Sequence, residues 1–115
     1  MQQIMNITNE PKQSFVIPLS NGGSFILSIE YINSQIGWFF DIQSENGNTY
    51  CRRITNCPNL LRDKQNILKF SLSCYIDDNS EPYFVDDFIS GRAKLYVLNE
   101  EDIKYIGRTQ YGKIF

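Results

Sequence analysis

Apolar residues return at every second position in several stretches of this 115-residue chain, and this alternation restricts the fold more than any other feature. The cleanest run is Leu68, Phe70, Leu72, Cys74 and Ile76, set against Lys69, Ser71, Ser73 and Tyr75. Side chains two apart share one face of an extended strand, so the run describes a strand with one buried side and one open side. Phe15, Ile17 and Leu19 alternate in the same way, with Pro18 marking an edge or terminal strand. After the turn residues Asn21-Gly22-Gly23, a second run sets Phe25, Leu27, Ile29 and Tyr31 against Ile26, Ser28 and Glu30, which predicts a hairpin over residues 14–31.

A turn at Asn33-Ser34-Gln35 leads into a third strand, in which Trp38, Phe40 and Ile42 take one face and Phe39 and Asp41 the other. Glu45-Asn46-Gly47-Asn48 carries the Asn-Gly turn signal and precedes a fourth strand over residues 49–54, so the first half reads as a meander. Between Asn56 and Asn66 the alternation breaks around Pro58, which predicts a loop or one helical turn. Asp77-Asp78-Asn79-Ser80-Glu81-Pro82 is polar and ends in proline, the composition of an exposed loop; it lacks the glycine and distal glutamate of a calcium-binding EF-hand loop. Phe84-Val85 is a short apolar segment of undecided state. Ala93, Leu95 and Val97 against Lys94, Tyr96 and Leu98 give the last strand.

The fold class expected is all-β: a small antiparallel β-barrel or β-sandwich of about six to eight strands, since both alternate inward and outward residues along every strand. Residues 1–98 form the single domain and residues 99–115 a short C-terminal tail, in which Glu100-Glu101-Asp102 suits the start of a short helix and which is expected to order on a partner. With 42% hydrophobic residues the domain can build its core without a disulfide or metal. The apolar runs stop at about five residues, against roughly 20 for a bilayer-spanning helix, so no membrane association is expected. The amino terminus lacks the pattern of a secretory signal, which suggests a cytoplasmic protein or one delivered by assembly.

The function classes narrow on three grounds. The chain has no histidine, which removes the commonest general base, triad partner and zinc ligand together. Its net charge of −2 does not suit a surface that neutralises phosphates, so no specific nucleic acid is expected. Cys51, Cys57 and Cys74 form an odd set without CxxC spacing, which fits reduced thiols; a Cys51–Cys57 or Cys57–Cys74 bridge is the alternative. Cys74 shares a face with Phe70 and Leu72, the position of a buried structural thiol rather than a nucleophile. Asp41, inside an aromatic strand, is placed to accept backbone or tyrosine hydrogen bonds that fix a turn. The seven glycines make no phosphate-cradling loop. No enzyme, cofactor or metal site is expected.

The pattern as a whole resembles the small baseplate plug proteins of contractile-tailed phages, the type found in a cyanophage with a simple tail. It begins with Pro11, Gln13 and Phe15, passes through Leu19, Phe25, Leu27, Tyr31 and Asn33, and is most distinctive at Gly37-Trp38-Phe39-Phe40-Asp41-Ile42 with Gly47 in the next turn. It continues with Asn59-Leu60-Leu61 and Pro82 and closes at Leu95-Tyr96-Val97. The resemblance covers residues 11–98 and brings no catalytic residues.

It implies a structural virion protein that sits in the axial channel of the baseplate, binds the hub protein and closes the lumen until contraction. The spike and tail tube proteins are further candidate partners, and the host cytoplasm is the place of assembly. Tyr105, Arg108, Tyr111 and Phe115 in the tail are the expected partner-binding residues, because aromatic and arginine side chains are typical interface anchors. Two alternatives compete. One is another phage tail protein of tube, completion or joining type. The other is an OB-like single-stranded nucleic-acid-binding module, with Tyr31, Phe39, Tyr50 and Tyr75 as a stacking platform.

Overall fold

The computed structural model describes residues 2–19, 22–65, 67–78 and 80–106, Ile106 by its backbone alone. Among these the chain forms seven strands, β1 (Gln2–Gln3), β2 (Lys12–Pro18), β3 (Ser24–Ile32), β4 (Gly37–Ser44), β5 (Gly47–Arg53), β6 (Ser71–Ile76) and β7 (Ala93–Leu98), and one helix, α1 (Glu100–Ile106). Strands β2-β3-β4-β5 make one antiparallel sheet in chain order, and β1-β7-β6 make a second. No strand joins the two sheets among the described residues, so the molecule is a sandwich rather than a closed barrel.

The alternation seen in the sequence becomes the inner face of each sheet. Phe25, Leu27 and Ile29 of β3 and Trp38, Phe40 and Ile42 of β4 meet Leu72, Cys74 and Ile76 of β6 and Ala93 and Leu95 of β7 in one buried cluster. Fully burying a side chain of Leu or Ile size contributes about 1.5–3 kcal/mol each. The Phe25 and Phe70 rings stack across this core with centroids 4.1 Å apart. The register of the first hairpin runs from Lys12 opposite Glu30 to Pro18 opposite Ser24, and Pro18 does lie on an edge strand.

The β4–β5 hairpin departs from its sequence signal in two ways. Ser44 pairs with Gly47, so the two turn residues are Glu45 and Asn46, one position earlier than an Asn-Gly turn would place them. Gly47 serves close packing instead: a Cβ there would stand 2.8 Å from Cγ2 of Ile67. Further along, Phe40 opposes Arg52 but Ile42 opposes Thr49, so β5 carries one residue more than β4. Cys51 absorbs the extra length in a left-handed conformation (φ 53°), and its N–H donates to Oδ1 of Asp41 at 2.7 Å. Asp41 accepts a backbone hydrogen bond as expected, but what the carboxylate fixes is a β-bulge rather than a turn.

Strand β6 begins at Ser71, so Leu68 and Phe70 are buried in the segment before it rather than in the strand. Ser71 and Ser73, expected on an open side, are buried too. The reason is the loop of residues 57–61, which runs along the edge of β6. Leu60 donates its N–H to the Leu72 carbonyl at 2.8 Å, and the Ser71 hydroxyl accepts the Leu61 N–H at 3.1 Å while donating to Oδ1 of Asn59. The expected helical turn follows as a 3₁₀ turn over Arg62–Lys64, held to β5 by the Arg52 fork on Asp63 at 3.0 Å.

The start of the tail orders within the chain itself. Asn99 Oδ1 accepts the Asp102 N–H at 2.8 Å and Asp102 Oδ2 accepts the Asn99 N–H at 3.1 Å, a reciprocal cap of the kind that nucleates a helix. The acidic first turn of Glu100, Glu101 and Asp102 adds to it through the helix dipole.

Candidate partner-binding face

One arginine organises the long connection from β6 to β7. Arg92 grips Asp87 with two parallel bonds, Nε to Oδ1 at 2.8 Å and Nη2 to Oδ2 at 3.0 Å, while Asp87 is only 2% exposed. The same guanidinium donates to the Glu81 carbonyl at 2.7 Å, to the Ser80 hydroxyl and to Asp78 at 3.3 Å. Planar, multiply bonded geometry of this kind is what arginine provides and lysine does not. Asp87 also accepts the Phe84 N–H at 2.9 Å, so the loop closes on itself. The acidic stretch expected as an open loop is thus anchored from within; Pro82 is buried, and a Glu81 carboxylate oxygen accepts the Asn56 N–H at 2.6 Å.

The sheet of β2 to β5 holds the tip of this loop. The Tyr31 hydroxyl of β3 donates to the Tyr83 carbonyl, and Nε1 of Trp38 of β4 donates to the Phe84 carbonyl at 3.2 Å. Both donors are aromatic side chains with one polar atom, and Trp38 is itself fixed edge-on between Tyr31 and Phe88. With its carbonyls turned inward, the tip leaves the Tyr83 and Phe84 side chains outside, 45% and 64% exposed.

Beside them stands a strained turn. Ile36 ends the 3₁₀ turn Asn33–Gln35 with φ 49° and ψ 66°, a left-handed conformation that a β-branched residue rarely takes. Arg53 holds it there, donating to the Ile36 carbonyl at 3.2 Å and the Gln35 carbonyl at 2.6 Å while lying 4.7 Å over the Phe39 ring. A Cβ at position 37 would fall 2.1 Å from the Arg53 Nη1, so only glycine leaves room for the clamp. An open groove of about 660 Å³ runs between Ile36, Arg53 and Ile54 on one wall and Pro82, Tyr83 and Phe84 on the other. It is an apolar surface with an arginine at its rim. Among the described residues no group of three or more Cys, Asp or Glu is placed to hold a metal ion.

A protein-family model described as "Cyanophage baseplate Pam3 plug gp18" matches residues 1–101. The chain belongs to this family. Membership gives it a structural role in a phage baseplate and a place in the tail of the virion, and it points to a protein without catalysis. None of the curated proteins matches the chain.

For this baseplate plug family member, the residues singled out from sequence fall as follows. Tyr105 lies in α1 and is 65% exposed, whereas Arg108, Tyr111 and Phe115 lie outside the described residues. The four aromatics weighed as a stacking platform are not brought together: Tyr31 turns toward Trp38, Phe39 lies under Arg53, and Tyr75 belongs to the other sheet. Sequence reasoning missed Tyr83, Phe84 and Ile36. The available signal was the pair of adjacent aromatics directly after Pro82, in a segment without alternation that would bury either of them.

Proposed function

We propose that this protein is a non-catalytic stopper that closes the central channel of a contractile-tail baseplate by binding the hub, and that Ile36, Tyr83 and Phe84 form the contact. The observation that carries this is the pinning of the Tyr83 and Phe84 carbonyls by Tyr31 and Trp38, which presents two aromatic side chains to solvent in fixed positions. Anchors ordered before binding cost less conformational entropy on docking, and aromatic residues are the commonest anchors of protein interfaces. A contact of limited area around two anchors is also one that a rearranging hub can release. The tail of residues 99–115, set apart from the domain of residues 1–98, supplies a second contact through Tyr105, Arg108, Tyr111 and Phe115. Assembly takes place in the host cytoplasm, with spike and tail tube proteins as neighbours.

The test is a pull-down of tagged protein from a phage-producing lysate, read by mass spectrometry, for wild type, the Tyr83→Ala/Phe84→Ala variant and a chain lacking residues 107–115. Wild type should retain hub, spike and tube subunits. The double variant should retain at least tenfold less hub at an unchanged unfolding midpoint, and the shortened chain should show a smaller loss. Undiminished hub capture by the double variant would remove the aromatic face from the proposal, and recovery of nucleic acid without baseplate proteins would remove the stopper itself.

A further inference from the structure

Cys57 and Cys74 form an antiparallel bridge that stands outside both sheets' ladders. The Cys57 N–H donates to the Cys74 carbonyl at 3.1 Å, and the Cys74 N–H donates to the Cys57 carbonyl at 3.0 Å. Residues that exchange both bonds are directly opposite, with Cα atoms about 5.5 Å apart and side chains on the same side. Disulfides span Cα separations of about 4.4–6.8 Å. All three cysteines are thiols in the structure, so this pair is in position but not joined.

We propose that Cys57 and Cys74 are an oxidation site at which a small-molecule disulfide converts the two thiols into a cross-link. The order of events follows from burial. Cys74 is 2% exposed, and burial pushes its thiol up to about 12, so it is a poor first nucleophile. Cys57 is partly exposed and meets the reagent first. Its sulfur attacks one sulfur of the small disulfide, the S–S bond breaks, and the first small thiol leaves with a proton. The Cys74 sulfur then attacks the mixed disulfide at the Cys57 sulfur and expels the second small thiol, also protonated. Two cysteine thiols lose two electrons and two protons in total, and one small disulfide becomes two thiols.

The Cβ atoms of such a pair, about 4.5–5.5 Å apart, must approach to about 3.8 Å. Cys57 belongs to a single bridge in a loop rather than to a ladder, so the loop can make this approach without moving a sheet. Cys51 lies on β5 of the opposite sheet and is exposed, which makes it an internal control for simple reagent access. A component of a released particle is exposed to an oxidising medium in which disulfides persist. The geometry is independent of whether the protein acts as a stopper.

The full-length wild-type chain incubated with oxidised glutathione, then alkylated and peptide-mapped without reduction, tests the proposal. The expected product has lost two hydrogens, carries a Cys57–Cys74 linked peptide pair, and unfolds at a midpoint higher by about 5 °C, a gain that dithiothreitol reverses. A Cys51→Ser variant should give the same linked pair. The proposal is overturned if Cys57 stops at the mixed disulfide, if Cys51 and Cys57 link instead, or if Cys51 alone reacts.

Discussion

Ile36 shows how a single position can trade stability for surface. Its left-handed backbone costs more with a branched Cβ than with almost any other side chain, and its 59% exposure means that little burial offsets the cost. Ile36→Gly should therefore stabilise the domain by about 0.5–1 kcal/mol, measured by urea unfolding, once the extra chain entropy of glycine is set against the strain removed. The same substitution should weaken hub capture, because it strips the apolar wall opposite Tyr83 and Phe84. Loss of stability would show that the turn is not strained. Nothing in the sequence marked this residue, since a positive φ at isoleucine follows from the Arg53 clamp, and Arg53 is brought to the turn only by the β4–β5 pairing.

At the scale of elements, the strands were legible because alternation is itself the record of a buried face: Phe25, Leu27 and Ile29 point inward at 1% exposure or less. What alternation does not record is pairing made by backbone alone. Strand β1 is two glutamines, Gln2 and Gln3, held to β7 opposite Val97 and Tyr96, with no apolar signature to announce it. Loop contacts hide for a similar reason: Ser71 reads as an outward polar residue until the segment of residues 57–61 covers it. At the bulge in β5 the acceptor role of Asp41 was readable, although alternation pointed to a turn and not to a bulge. Asp41→Ala should cost about 1 kcal/mol by orphaning the Cys51 N–H, with Asp41→Asn recovering part of it through the amide oxygen. Chemical denaturation of the three proteins measures this, and an unchanged midpoint for the alanine variant would mean that water replaces the carboxylate without loss.

For the whole molecule, the connection from β6 to β7 is the piece that ties the two sheets together, since it belongs to one sheet by sequence and is held by Tyr31 and Trp38 of the other. Its charge dependence has a definite sign. The Ser80 hydroxyl and N–H, with help from Arg92, hold Asp78 below the usual carboxylate value of 3.8, and the Arg52 guanidinium does the same for Asp63 beside β5. A carboxylate with a lowered folded-state pKa contributes stability above its unfolded value and loses it as pH falls through the folded one. With no histidine in the chain, the emission of the single tryptophan, Trp38, should stay level from about pH 8 to 5 and change below about pH 4, as the loop that receives its N–H loosens. A transition near neutral pH would point to a group other than these carboxylates.

The position of β7 has a mechanical consequence. It is the middle strand of its sheet, with the loop that bears Tyr83 and Phe84 entering at Ala93 and α1 leaving just after Leu98. Tension applied between these two ends runs along the strand axis and loads the β1 and β6 ladders together, in shear. Antiparallel bonds lie across that direction and must all yield at once, whereas a pull at right angles would open them one by one like a zip. A molecule gripped at both ends of this strand would transmit force lengthwise and come away whole before it came apart.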